Sequence, residues 1–356
     1  MKVALLGLER DFNLNSGRGP SVYMYNLYKN LLQIKDLSII KFGTKIPNLL
    51  GSGNSFTGNA VAFTLDNLLR NFQQFDLIHA LYFNLVLSPF KFQRPIITTV
   101  YDAREIVDIP SLKTNNESVI YKMIVHNIGM HTLKSDHIIS ISSQTKEEIV
   151  RLGYQRNKIS VVNLGIDKSF LIDKPAAKTT NYNKFSVGYI GSFAENKNIN
   201  FILDTAKILK SSVNFYLWGA KNQDYLKLLE KTSNPTTVKF MGFAPGERLI
   251  NIYDSFDTFA FPSLYEGFGL PILEAQSRGL PVIIYKYGKI PKEVRKYCFE
   301  AESPEHMAQI IENIKENGYN ERLRRKATEY ARSFTWEKCA KETFGVYKGF
   351  LENSNS

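Results

Sequence analysis

Ser263-Leu-Tyr-Glu-Gly-Phe-Gly-Leu-Pro-Ile-Leu-Glu-Ala-Gln-Ser-Arg-Gly-Leu-Pro-Val282 is the stretch that decides the fold of this chain. The apolar run before it, residues 259–261, is typical of a buried parallel strand that ends at a proline. Glu266-Gly-Phe-Gly269 then predicts a tight turn, because its two glycines permit close backbone approach. Pro271 suits the first turn of a helix, and Gly279 suits its left-handed stop, so we expect a helix to about residue 278.

A strand end, a glycine turn and a helix N-terminus together leave backbone N–H groups unpaired beside a positive dipole end, which attracts phosphate. Glu266 and Glu274 frame this turn with seven residues between them, so both acids can share its face. Carboxylates bind the hydroxyls of sugars through charge-assisted hydrogen bonds. The pattern indicates a nucleotide-sugar site, and the alternative is an ordinary strand–helix loop with solvated acids.

The segment from Glu266 to Glu274 resembles the E-x7-E signature of the retaining GT-B glycosyltransferases of family four. Residues 254–263 resemble the lead-in strand of that family, and residues 279–283 resemble its next strand. The resemblance implies an α/β chain with the GT-B fold, in which two Rossmann-like domains with parallel sheets face a central cleft. The domain bounds that we predict are 1–170 for the acceptor domain, completed by a C-terminal helix at about 337–352, 171–184 for a linker, and 185–336 for the nucleotide-sugar domain.

Length and composition agree with a two-domain globular protein. The 356 residues suit two domains of ordinary size, and Cys298 and Cys339 are the only cysteines, which favours a reducing cytosol. No run of 18 uninterrupted apolar residues occurs, so we predict a cytoplasmic protein. The net charge of +11 is spread over both halves without a nucleic-acid-binding motif, which argues against a nucleic-acid partner. It allows peripheral contact with anionic lipid at the inner membrane face.

In the first domain, strands are predicted at 2–7, 37–42, 76–80 and 95–102, with a helix from Pro20 to about Leu32. A glycine loop precedes this helix, and the resembling family uses such a loop to contact donor phosphate or acceptor. We carry that role to Gly17, Arg18 and Gly19. The Gly-rich and Asn-rich residues 43–59 predict a loop that is either an acceptor lid or a plain surface excursion.

Polar residues at the predicted strand ends of this domain are further candidates, because ligands of open α/β sheets collect there. Relatives commonly have a histidine that reaches the donor sugar where Tyr101 stands, and a phenol cannot act as an imidazole. Asp102 or His79 is a candidate substitute, although the residues favour His79 as a strand-end histidine satisfied by the backbone. Ser143 is predicted to cap a helix after a strand at 137–141, and residues 158–167 close the domain.

The second domain repeats the pattern of strand, loop and helix. We predict a strand at 185–190 and a helix from the N-cap Asn198 to Leu209, with Lys197 adding a cation at its start. The family usually pairs this lysine with an arginine in the same loop, where this chain has Ser192 and Asn196, so Arg18 is the predicted substitute. Strands are also predicted at 213–219, at 238–245 and, as the last buried strand, at 281–285. In relatives the turn after the second of these lies against the nucleobase, which makes Gly242 and Phe243 candidates.

The sequence thus predicts a retaining, metal-independent glycosyltransferase that moves a hexosyl unit from a UDP- or GDP-linked sugar to a glycan, a glycolipid or another acceptor. No Asp-x-Asp motif occurs, so no metal ion and no cofactor are expected. Lys197 and the backbone N–H groups of the turn would bind the diphosphate, Glu274 the ribose and Glu266 the transferred sugar. The turn residues are Gly267, Phe268, Gly269 and Leu270. The alternatives are a non-catalytic nucleotide-sugar-binding module and a Rossmann oxidoreductase, and the missing Gly-x-Gly-x-x-Gly argues against the latter.

Overall fold

The computed structural model describes residues 1–13, 19–44, 70–81, 94–103, 134–172, 184–220 and 237–354. The chain forms two compact units. The first unit comprises Met1–Gly165 and the C-terminal segment Trp336–Ser356, and the second comprises Ile166–Thr335. The second unit begins before the linker that the sequence predicted, and residues 173–183 of that linker lie outside the described residues.

The first unit contains a parallel sheet of six strands in the order β2-β1-β3-β4-β5-β6. Every residue of β1 from Val3 onward is buried, as expected for a strand covered on both faces. The strand order reverses between β1 and β3, which is the topological switch point of this sheet. The strands are β1 Lys2–Leu8, β2 Ser38–Thr44, β3 Leu77–Ala80, β4 Ile96–Val100, β5 His137–Ser140 and β6 Ile159–Val161.

The second unit contains another parallel sheet of six strands, in the order β12-β11-β10-β7-β8-β9. This is the doubly wound order of nucleotide-binding folds, with its switch point between β7 and β10. The strands are β7 Ser186–Ile190, β8 Asn214–Trp218, β9 Val238–Gly242, β10 Thr258–Phe261, β11 Val282–Tyr285 and β12 Phe299–Ala301.

Helices connect these strands in both units, which confirms the predicted α/β class. Among the described ranges, no helix is both long and apolar enough to cross a bilayer. The α-helices are α1 Gly19–Leu31, α2 Ser143–Arg151, α3 Ile199–Leu209, α4 Leu249–Asp254, α5 Leu270–Ser277, α6 Lys292–Arg295, α7 Pro304–Asn317, α8 Glu321–Arg332 and α9 Trp336–Ser354.

Several predicted element boundaries were wrong for identifiable reasons. The N-cap of α2 is Ser142, whose hydroxyl accepts from the Thr145 N–H, and Ser143 is already helical. The strand predicted to reach residue 245 ends at Gly242, whose φ of 84° turns the chain. The last buried strand, predicted at 281–285, is confirmed as β11, but the sequence analysis predicted no strand after it, and β12 follows. β12 is only three residues long and one-sided in its burial, so it lacks an apolar run that would have revealed it.

A buried chain of polar side chains ties α9 to the sheet of the first unit. The fully buried His79 contacts the Tyr347 hydroxyl through Nδ1 at 2.6 Å and the Thr99 hydroxyl through Nε2 at 2.8 Å. The Tyr23 hydroxyl lies 3.1 Å from the same Thr99 oxygen, so α1 joins the chain. Both ring nitrogens of His79 are thus occupied within the core. We therefore assign His79 to packing and remove it from the candidate site residues.

Acid should destabilise the protein through His79. Burial lowers the pKa of this histidine from 6.5 to about 3, so below pH 6.5 the unfolded chain binds a proton that the folded chain does not. The contribution of His79 to the free energy of unfolding is complete above pH 6.5. It falls by about 1.4 kcal/mol per pH unit as the pH drops towards 3. Denaturant unfolding of His79→Gln and the wild type from pH 7 to 4.5 should show a shallower decline for the variant. Parallel declines would contradict this.

Candidate functional site

The central site element is the segment that joins β10 to α5 in the second unit. All four residues of β10 are buried, and Pro262 ends the strand. Gly269 occupies the N-cap of α5 with a φ of 104°, a conformation that side chains with a Cβ rarely adopt. Pro271 stands in the first turn of the helix, and Gly279 follows its end with a φ of 72°. The strand, the glycine turn, the helix and its stop are confirmed as predicted.

The β10–α5 loop (residues 262–269) is held in place by backbone hydrogen bonds to two other loops. Leu264 N–H donates to the carbonyl of Asn196 at 2.8 Å, and Glu266 N–H donates to the carbonyl of Lys289 at 2.9 Å. Lys289 N–H in turn donates to the carbonyl of Leu264 at 2.8 Å. Gly288 lets these backbones approach, because a Cβ at this position would lie 2.3 Å from the Ser263 carbonyl oxygen.

The turn itself has backbone N–H groups that are not used in backbone hydrogen bonds of the described residues. Within the described residues, the N–H groups of Gly267, Phe268 and Gly269 donate to no backbone oxygen. They immediately precede α5, whose first N–H groups carry the positive end of the helix dipole. The arrangement has the properties of an anion-binding site at a helix N-terminus.

Lys197 and Glu266, which are 69 residues apart in sequence, meet in an ion pair at this turn. Lys197 Nζ lies 2.6 Å from Glu266 Oε1, and the two side chains are 18% and 11% exposed. The ammonium also lies 5.8 Å from the centre of the Phe261 ring. Two residues that the sequence proposed independently are therefore in direct contact.

The location of this pair within the sheet explains why it is accessible to a ligand. Lys197 lies in the β7–α3 loop (residues 191–198), and Glu266 belongs to the β10–α5 loop. The strands β7 and β10 are the two neighbours between which the strand order reverses. The carboxyl ends of strands at such a point diverge into connections on opposite faces and leave a crevice where ligands bind.

Glu274 lies one turn into α5 and is partly buried. Its Oε2 accepts a hydrogen bond of 2.7 Å from the Tyr253 hydroxyl. Burial raises the pKa of Glu274 to about 7, the Tyr253 hydrogen bond works against this rise, and the nearby Asp167 carboxylate adds to it. The second acid of the motif therefore carries a proton part of the time near neutral pH.

The remaining candidates of the second unit lie after neighbouring strands of the same sheet. Ser192 is exposed after β7, and its carbonyl accepts from the buried Tyr189 hydroxyl at 2.6 Å. Phe243 follows β9 with 61% of its surface exposed, directly after the left-handed Gly242. Asn198 is the N-cap of α3, as predicted, but its side chain makes no capping hydrogen bond. The residue adopts a left-handed conformation, and its amide donates to the Pro262 carbonyl at 3.2 Å.

The structure brings together fewer of the candidate site residues of the first unit. Gly17 and Arg18 lie outside the described residues, as does the predicted loop beyond Thr44, while Gly19 begins α1. Tyr101 and Asp102 follow β4, and the Tyr101 hydroxyl donates to the Leu81 carbonyl. The Tyr101 ring also packs edge-on against Tyr23 at 5.2 Å.

Sequence reasoning missed Tyr253 and Lys289 as parts of the site. Tyr253 is separated from Glu274 by β10 and the turn, and Lys289 contributes backbone groups, which leave no trace in residue type. The sequence carried a signal for neither.

Two family models match the chain. The model described as "Glycosyltransferase Family 4" matches residues 39–170, and the model described as "Glycosyl transferases group 1" matches residues 172–334. The O-antigen chain mannosyltransferase B of Escherichia coli is 28% identical over 228 residues. That match covers 59% of this chain and 60% of the length of the relative.

Solved structures share the fold at low sequence identity. Sucrose-phosphate synthase from Thermosynechococcus elongatus superposes with a TM-score of 0.80 at 17% identity, over 99% of this chain and 100% of that one. HepE of Anabaena, solved in complex with UDP and glucose, gives a TM-score of 0.69 at 18% identity, over 98% of this chain and 100% of that one.

The two parallel sheets and these structural matches define a protein of the GT-B class. Within this fold, residues 39–170 are similar to the family 4 model and residues 172–334 are similar to the group 1 model.

A side chain at position 288 should disturb the site, because it would prevent the close approach of this backbone to the Ser263 carbonyl. In Gly288→Ala the new methyl group meets the Ser263 carbonyl at 2.3 Å, so the backbone bonds of Lys289 must shift. We expect the free energy of unfolding to fall by about 1–3 kcal/mol, as for other overpacked positions. Gly246→Ala is the control, since a Cβ there meets nothing within 4 Å, and it should change stability by less than about 0.5 kcal/mol. Equal stability of the two variants in urea titrations would contradict the packing argument.

Proposed function

We propose that this protein transfers a hexosyl unit from a nucleotide-sugar to a glycan, a glycolipid or a related acceptor, with retention of anomeric configuration. The observation that carries the proposal is the Lys197–Glu266 ion pair at the switch point of the second sheet, beside the open N–H groups of the β10–α5 loop. A cation and backbone donors suit a diphosphate, and an acid beside them suits the sugar attached to it.

The leaving diphosphate would bind to the turn. Negative charge develops on its bridging oxygen as the glycosidic bond to the donor breaks, and preorganised donors stabilise such charge. The N–H groups of Gly267 to Leu270 and the dipole of α5 supply these donors, and Lys197 adds a full positive charge. Ser192 and Asn196 stand at the candidate positions of the arginine that the resembling family usually has in this loop, so we infer that Lys197 carries more of this task and that Arg18 is the second cation.

The ion pair would exchange partners when the donor binds. In the ligand-free protein each charge of the pair neutralises the other in a partly buried setting. A diphosphate competes for the Lys197 ammonium and frees Glu266 to accept hydrogen bonds from the hydroxyls of the transferred sugar. The same pair thus keeps both charges positioned before the substrate arrives.

The rest of the donor would lie along the carboxyl ends of the strands. Glu274 accepts from the ribose hydroxyls, and the exposed Phe243 ring with Gly242 offers a surface for the base. The Anabaena relative in complex with UDP and glucose supports a UDP-linked donor, and the E. coli mannosyltransferase supports a polysaccharide acceptor.

We also propose retention and a hexosyl donor on the strength of the family resemblance, and a reaction that needs no metal ion because the sequence has no Asp-x-Asp motif. We assign acceptor binding to the first unit, with Tyr101, Asp102 and the loop around Gly19 as its proposed contacts. The site of action would be the cytoplasm, with peripheral contact to an anionic membrane.

Substitution of the two charged donor contacts tests the proposal. Lys197→Ala should lower kcat/KM for the donor by about tenfold to a hundredfold, equivalent to ~1.4–3 kcal/mol of transition-state stabilisation. Glu274→Ala should mainly raise the donor KM.

The control is Lys207→Ala, which removes an exposed lysine paired with Asp204 at 2.7 Å and should leave transfer unchanged. A panel of UDP-, GDP- and ADP-sugars, screened by thermal shift, selects the donor for these assays. Wild-type transfer in both site variants would refute the assignment.

Nucleotide affinity should depend on pH through Glu274. Its pKa of about 7 means that the carboxylate is mostly ionised at pH 8 and mostly protonated at pH 6. Only the ionised form accepts from both ribose hydroxyls, so the affinity for UDP should fall by up to about tenfold between pH 8 and pH 6. Calorimetry on Glu274→Gln separates this effect from titration of the nucleotide phosphate. The variant should retain only the phosphate contribution, and identical pH profiles would disprove the role of Glu274.

A further inference from the structure

Tyr253 is a fully buried tyrosine in the last turn of α4, and its position is set by aromatic packing. Its ring centre lies 5.6 Å from that of Phe170, edge-on, and 5.4 Å from that of Phe259 in β10. These contacts leave the phenol one direction for its hydroxyl, which donates to Glu274 Oε2 at 2.7 Å. A buried tyrosine held by two aromatic contacts is thus bonded to one carboxylate oxygen of Glu274.

The other charged groups around Glu274 are otherwise engaged. Arg278 is the C-cap of α5, but its Nε and Nη2 each lie 2.8 Å from Asp254 in a buried ion pair. Arg332 of α8 donates to the Ser277 carbonyl at 3.3 Å. Asp167 faces Glu274 as a like charge and accepts from Ser169. No cation among the described residues is bonded to the Glu274 carboxylate, and Tyr253 is its one hydrogen-bond partner there.

The two oxygens of Glu274 therefore differ. Oε2 is bonded to the phenol, while Oε1 has no hydrogen-bond partner among the described residues. Oε1 is also not one of the buried side-chain atoms of those residues that lack a partner. The terminal torsion of a glutamate is broad and nearly two-fold, so an unanchored carboxylate would rotate freely. One anchored oxygen fixes the plane of the carboxylate and hence the direction of the other.

We propose that Tyr253 is a positioning residue of the donor site, which holds Oε2 of Glu274 so that Oε1 is presented to the ribose hydroxyls of the nucleotide. This inference rests on the proposed function, since it needs a nucleotide at Glu274. Tyr253 touches no substrate and acts only through the acid. Because Tyr253 is neutral, it holds the carboxylate without neutralising its negative charge, as an arginine would. The charge stays available for the ribose hydroxyls.

The experiment compares each nucleoside diphosphate with its analogue lacking both ribose hydroxyls. UDP, GDP and ADP are screened first, and the tightest binder is then measured by calorimetry against its 2′,3′-dideoxy form at pH 8. The variants are Tyr253→Phe, Glu274→Gln and the double variant. Tyr253→Phe keeps the ring between Phe170 and Phe259, so we expect it to fold, and circular dichroism checks this.

The wild type should prefer the hydroxylated nucleotide by about tenfold, as expected for hydrogen bonds to a charged group. Tyr253→Phe should reduce that preference to about threefold or less, and it should add nothing to the loss already present in Glu274→Gln. Affinity for the dideoxy nucleotide should be unchanged in every variant, which a general loosening of the fold would not produce.

Tyr347→Phe is the matched control. It removes the hydroxyl of another fully buried tyrosine, bonded to His79 in the first unit, and should lower the melting temperature without altering the ribose preference. A wild-type preference in folded Tyr253→Phe would overturn the positioning role alone. If the variant does not fold, 3-fluorotyrosine incorporation, which strengthens the phenol as a donor, must instead change the preference. Failure of all three nucleotides to bind the wild type would overturn the proposed function itself.

Discussion

The ion pair between Lys197 and Glu266 is the contact on which the geometry of the second unit's site depends. It joins the loop after β7 to the loop after β10, the two loops that flank the switch point of the sheet. Both side chains are largely buried, where an uncompensated charge is costly, so each keeps the other in place. The pair therefore fixes a cation beside N–H groups that donate to no backbone oxygen of the described residues. An anion that enters meets donors that already point at it, and little reorganisation is required.

The parts of this site that the sequence predicted are those with local signals. A buried strand, a proline, two glycines and a second proline follow one another between Phe259 and Pro271, and each residue type has one structural explanation there. Lys197 was found in the same way, as a cation at a helix start. Tyr253 and Lys289 were not found, because their roles arise from tertiary contacts. A tyrosine at the end of a six-residue helix carries no sign that its hydroxyl meets an acid across a strand.

The first unit shows why polar residues on strands are unreliable guides to a site. His79 and Tyr101 looked equivalent in sequence, each near the carboxyl end of a predicted strand. In the structure His79 lies within β3, and both of its ring nitrogens are used by Thr99 and Tyr347 to hold α9 against the sheet. A buried imidazole with two partners stabilises a helix contact and has no donor or acceptor left for a ligand. Tyr101 and Asp102 lie beyond the end of β4, which is where ligands of open α/β sheets collect.

The two loops of the second unit are joined by more than charge. The amides of Asn196 and Asn198 donate to the carbonyls of Tyr265 and Pro262, at 3.3 and 3.2 Å, and Leu264 N–H donates back to Asn196. Asn198 adopts a left-handed conformation with a φ of 54°, which asparagine tolerates better than most residues with a side chain. A glycine would adopt this conformation with less strain, but it would lack the amide. These neutral links do not compete for phosphate, so Lys197 can leave Glu266 for a diphosphate while the loops that carry both residues stay together.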